Sequence, residues 1–96
     1  MGSADRVRRG LQSIAANVRA LRLRRRWTQE QLAEAANLET RYVQTLESGR
    51  ANPSAAVLMV VAEALGVAMG RIFRLASLPE RRPGRPRSGG ARIRRR

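Results

Sequence analysis

A chain of 96 residues, 43% hydrophobic but only 3% aromatic, has room for one domain with one modest aliphatic core. It contains no Cys and no His, and its 7 acidic residues are scattered, so a disulfide framework, a thiolate metal site and a nucleophile–base pair are all excluded. That inventory reads against an enzyme and against any metal, cofactor or small-molecule site.

The net charge is +13, and every one of the 20 basic residues is Arg. A G- and C-rich genome accounts for Arg in place of Lys, but not for the excess of Arg over acid. The excess points to a polyanionic partner, most simply nucleic acid. No secretory segment or membrane-length apolar run is present, so the expected setting is the cytoplasm.

Val7, Leu11, Ile14, Val18 and Leu21 recur at helical spacing and predict a first helix from Asp5 to Arg25. Gly10 is its weak point, because a mid-helix Gly costs about 1 kcal/mol. Thr28 opens a second helix, with Gln31 three positions on as a capping box. Leu32, Ala33 and Ala36 share its buried arc, and Asn37 ends it in a left-handed turn. Leu38 then plugs the turn into the core. Glu39 is a poor helix cap, so Thr40 is expected to cap a third helix that runs to Ser48 and stops at Gly49.

Along this third helix Tyr42, Val43 and Leu46 fall on one arc, and Arg41, Gln44, Thr45 and Ser48 on the other. The outward arc has no acid. It presents a guanidinium, an amide and hydroxyls at one-turn spacing, the groups that read base edges in a major groove. Ser54, after Pro53, caps a fourth helix with a core stripe of Leu58, Val61, Ala62 and Leu65, ended by Gly66. A fifth runs from Met69 to Ala76, with Ile72 and Phe73 facing inward. From Pro79 onward eight Arg stand against one Glu among Pro and Gly, a composition that forms no core and predicts disorder. The expected organisation is an extension of helix one over 1–12, a domain over 13–78 and a basic tail over 79–96.

The order Thr28-Gln29, Leu32-Ala33, Leu46-Glu47-Ser48-Gly49, Asn52-Pro53-Ser54 and LMVVAEALGV over 58–67 resembles the phage repressor and Cro-like (XRE-type) helix-turn-helix family. The resemblance covers about residues 14–76 and implies an all-α, five-helix, lambda-repressor-like domain that binds double-stranded DNA as a small, repressor-like transcriptional regulator. It assigns base readout to Thr40, Arg41, Gln44 and Thr45. Phosphate contacts go to Thr28, Gln29, Arg50, Asn52 and Arg22. It also pairs Arg22 with Glu47, a partner that a buried carboxylate requires. Trp27 is read as a staple over the core.

On helix four, Val57, Met59 and Val60 are aliphatic where the family is more often polar. With Met69 they are candidates for a homodimer interface of the kind the family forms through its carboxy-terminal half. In the tail, Arg82, Arg85 and Arg87 lie in a degenerate match to an AT-hook and are candidates for further DNA contacts. Two other functions are compatible with the sequence: a protein-interaction module (an antitoxin or adaptor with its own protein partner), and charge-driven, sequence-blind DNA binding.

Overall fold

The computed structural model describes residues 2–75. The expected tail over 79–96, with Arg82, Arg85 and Arg87, and Ala76, the last residue of the expected fifth helix, lie outside them. The described residues form five helices: α1 (Ser3–Arg24), α2 (Gln29–Ala36), α3 (Thr40–Glu47), α4 (Ala55–Leu65) and α5 (Met69–Phe73). No helix among them is long and apolar enough to cross a membrane.

Each short helix is delimited by local chemistry. The Thr28 hydroxyl accepts from the Gln31 N–H at 3.0 Å while the Gln31 side chain accepts from the Thr28 N–H at 2.8 Å, closing the capping box of α2. Asn37 leaves α2 at φ 57°, ψ 46°, the left-handed conformation that Asn tolerates better than most residues. Ser54 caps α4 by accepting from the Val57 N–H, and Gly66 ends α4 at φ 71°.

α3 departs from the expected start. Glu39, not Thr40, occupies the N-cap position, its side chain makes no capping hydrogen bond, and Thr40 is already helical. The carbonyl of Glu39 accepts from the N–H groups of both Tyr42 and Val43, which fixes the first turn without a side-chain cap. A carboxylate at this end still meets a favourable helix dipole.

The core is aliphatic, as the composition dictates. Val18 of α1, Leu32 of α2, Val43 of α3, Val61 of α4 and Ile72 of α5 are fully buried, so every helix contributes one side chain to a common centre. α2 packs against α3 and α4, while α1 lies across α3, α4 and α5. Trp27 is half-buried against this core, with the Arg25 guanidinium 4.4 Å from its ring centroid. The same Arg25 donates to the carbonyl of Leu65 at 3.0 Å and so caps the end of α4.

Phe73, expected to face inward, does not. It is 49% exposed, while Ile72 beside it is completely buried. α5 ends at Phe73 and turns its Ile72 side to the core, which leaves Phe73, about 100° further round, outside.

α1 begins at Ser3 and continues unbroken through Gly10, around which a Cβ would meet nothing within 4 Å. Gly10→Ala should therefore stabilise the fold by about 0.5–1 kcal/mol, read as a rise in the midpoint of thermal unfolding by circular dichroism. An unchanged or lower midpoint would show that this stretch of α1 contributes nothing to the cooperative unit.

Candidate nucleic-acid interface

α3 is the centre of the site because its two sides do different work. Val43 and Leu46 are buried and hold it to the core, with Tyr42 half-buried at the margin. Arg41, Gln44 and Ser48 are exposed on the far side, and Thr40 and Thr45 are half-buried at its edges. The Thr45 hydroxyl donates to the carbonyl of Arg41 at 3.0 Å, four residues back, which points its methyl group away from that bond. The Ser48 hydroxyl donates to the carbonyl of Thr45 and accepts from the Arg50 N–H at 3.3 Å, tying the helix end to the adjoining loop.

The orientation of α3 is fixed by a buried ionic cluster. Arg22 Nε donates to Glu47 Oε2 at 2.7 Å and Arg22 Nη2 to Glu47 Oε1 at 3.0 Å, a two-pronged pair that matches the fork of the guanidinium to the carboxylate. Gln29 Nε2 adds a third donor to Oε1 at 3.1 Å. Arg22 Nη1 donates to the carbonyl of Trp27 at 2.6 Å. One carboxylate thereby joins the end of α1, the first turn of α2 and the last turn of α3.

This cluster alters the reading of two residues assigned to phosphate. Arg22 is only 7% exposed, with its guanidinium drawn onto Glu47 and the Trp27 carbonyl, so this geometry makes it a structural cation. The Gln29 amide nitrogen is likewise turned inward to Glu47. Thr28 remains exposed at the amino end of α2 beside the backbone N–H groups of the first turn. Glu30, in the same turn, keeps that end from being uniformly positive.

Arg50 and Asn52 are both exposed, and Ala51 between them is buried, which pins the α3–α4 loop so that its neighbours project outward. Gly49 opens this loop at φ 84°, a conformation that favours glycine. Of the residues expected at a dimer interface, Met59 is 59% and Val60 38% exposed. Val57 and Met69 instead pack partly against the core and offer less surface. Among the described residues no group of His, Cys, Asp or Glu is gathered that would hold a metal ion.

Two cationic or amide roles were not visible in the sequence pattern. Arg25 works as a cap for α4 and a lid on Trp27. Asn17 Nδ2 donates to the carbonyls of Ile72, at 2.8 Å, and Arg74, fastening the end of α5 to α1. The bonds to the Leu65, Ile72 and Arg74 carbonyls span 40, 55 and 57 residues of sequence, and helical periodicity carries no signal for them.

Two short helices set by a left-handed Asn turn, the second with a polar outer face and a locked inner one, define a helix-turn-helix protein. The helix-turn-helix family model HTH_3 matches residues 18–72, and the chain belongs to this family. It is 42% identical over 60 residues to the immunity repressor protein of Bacillus phage phi105, covering 62% of this chain and 42% of that protein. It is 38% identical over 63 residues to the competence pilus inhibition repressor of Acinetobacter baylyi, covering 66% of this chain and 57% of that one. The chain thus spans about half the length of these curated relatives. Among solved structures, a hypothetical transcription factor, NHTF, from Neisseria superposes with a TM-score of 0.68 at 31% identity, covering 70% of this chain and 77% of that one.

Removing Glu47 alone should be costly, because it leaves Arg22 buried without its anion. Glu47→Ala is expected to lower stability by about 3–5 kcal/mol in urea unfolding, and the double change Arg22→Met with Glu47→Leu to recover most of that loss. A loss below about 1 kcal/mol for Glu47→Ala would mean that the three helices are held in register without the cluster.

Proposed function

We propose that this domain binds double-stranded DNA sequence-specifically, as a small transcriptional repressor, with α3 in the major groove. The observation that carries the proposal is the outer face of α3. Arg41 and Gln44 stand exposed one turn apart with no acid among them, on a helix that a buried ionic cluster holds still. Arg pairs most readily with guanine and Gln with adenine, and the Thr45 methyl suits a thymine methyl. Thr40 completes the base-facing set at the start of the helix. Thr28 at the amino end of α2 and Arg50 and Asn52 in the loop after α3 are the phosphate contacts that set the docking register.

The names of the phage and Acinetobacter relatives, both repressors, support the regulatory reading. A cytoplasmic setting accords with the same reading. Self-association through Met59 and Val60, joined by exposed Phe73 and Leu75, would present two copies of α3 to symmetric half-sites.

Selection of bound duplexes from a random pool at physiological salt tests the central claim. Wild type should enrich a symmetric motif. Arg41→Ala and Gln44→Ala should each weaken binding to that motif by about 10- to 100-fold, the equivalent of one good bidentate base contact, while binding to unrelated DNA persists. Absence of any enriched motif would overturn sequence-specific reading and favour charge-driven binding or a protein partner.

Self-association has its own readout. Wild type should sediment as a dimer at high micromolar concentration, and Met59→Glu with Val60→Glu as a monomer with unchanged helix content. A monomeric wild type at that concentration would refute this interface.

A further inference from the structure

The α3–α4 loop is bordered by a part of α1 to which no role has been given. A Cβ placed on Gly49 would lie 3.5 Å from the Gln12 Cγ and 3.9 Å from the Ala15 Cβ. Gln12 and Ala15 therefore mark the side of α1 that lies against the start of the loop carrying Arg50 and Asn52. At about 100° per residue, Arg8 and Arg19 each fall within about 10° of the bisector between Gln12 and Ala15. They sit one turn before Gln12 and one turn after Ala15. The ridge Arg8, Gln12, Ala15, Arg19 thus runs straight past Gly49, with an arginine at either end whose Cα atoms stand about 16 Å apart along the axis.

Both arginines are accessible. Arg19 is exposed, and the Arg8 side chain is 69% exposed, in a 3.0 Å surface pair with Asp5. An exposed pair of this kind contributes at most about 1 kcal/mol, so a phosphate competes with it readily. Where α3 lies in a major groove, the loop after it tracks one strand of the backbone, and that strand places a phosphate every about 3.4 Å of axis. A ridge about 16 Å long beside that loop meets several of them.

We propose that Arg8 and Arg19 form a second phosphate-gripping row on α1, holding the DNA backbone alongside Arg50 and adding affinity without adding sequence preference. The proposal rests on the DNA-binding reading of α3. It gives the amino-terminal turns of α1, which bury little against the core, a function in docking. Arg6 and Arg24 lie about 150° from the centre of the ridge, on the far side of the same helix, and have no place in the row.

The test compares two double variants of equal charge by fluorescence anisotropy, on a selected duplex and on a random-sequence duplex, between 50 and 200 mM NaCl. Arg8→Ala with Arg19→Ala should make the salt slope of log K shallower by about 1.8 per protomer on both duplexes, leaving their affinity ratio unchanged. Arg6→Ala with Arg24→Ala, which removes the same charge from the opposite side, should shift the slope by less than half as much. All four substitutions place Ala on exposed helix surface, so folding is retained, as circular dichroism will show.

Equal slopes for the two variants would reduce the effect to net charge and overturn the row. A changed affinity ratio between the duplexes would make these arginines readers of sequence and overturn it as well. Loss of sequence preference by wild type itself would instead refute the α3 reading. Because the row is scored on random DNA too, that failure is separable from its own.

Discussion

A single buried carboxylate governs the geometry of this domain. Glu47 takes hydrogen bonds from Arg22 of α1 and Gln29 of α2 while standing in the last turn of α3. Taking a carboxylate and a guanidinium out of water is expensive, and the cluster is tolerable because the pair is two-pronged and Gln29 and the Trp27 carbonyl engage it further. Such an arrangement contributes little net stability over an apolar replacement. Its contribution is directional: it has one good geometry, whereas aliphatic contacts allow a helix of eight residues to slide or roll. The outer face of α3 is aimed by this cluster, and Thr28, next to Gln29, is placed at a set distance from it.

The division of α3 stems from the same constraint. Eight residues give just over two turns, with room for two deeply buried side chains, Val43 and Leu46. Two aliphatic side chains hold a helix down but do not set its rotation closely. The ionic cluster at one end and the left-handed Asn37 turn at the other supply the rotational restraint that the core lacks. Arg41 and Gln44 then project from a support with little freedom, and in the proposed docking little of their binding energy would be lost in ordering the backbone beneath them.

Much of the fold was legible because it is written in short-range signals. The capping box at Thr28, the Asn37 turn, the Ser54 cap and the Gly66 stop are all local chemistry, and the apolar stripes of α1, α2 and α4 repeat at helical spacing. The family resemblance supplied the pairing of Arg22 with Glu47, 25 residues apart, which no periodicity reveals. Errors arose where two local rules competed. At Glu39 the preference for a hydroxyl cap lost to backbone hydrogen bonds that need no side chain. At Phe73 hydrophobicity pointed inward, but the side of α5 that meets the core is the one carrying Ile72, about 100° away. Arg22 was read both as the partner of Glu47 and as a phosphate donor, and Gln29 as a phosphate donor alone; only the three-dimensional position of Glu47 shows that the Gln29 amide is turned inward as well. Arg25 and Asn17 were illegible for the same reason: each is an ordinary polar residue on a helix until a carbonyl from a distant segment arrives beside it.

Asn17 also decides where the chain leaves the domain. By holding the carbonyls of Ile72 and Arg74 against the middle of α1, it makes the end of α5 a fixed point and not a frayed one. The last described residues therefore stand against the flank of α1, at a constant place relative to α3. The side-chain amide of one mid-helix residue thus sets where the backbone after α5 stands relative to α3.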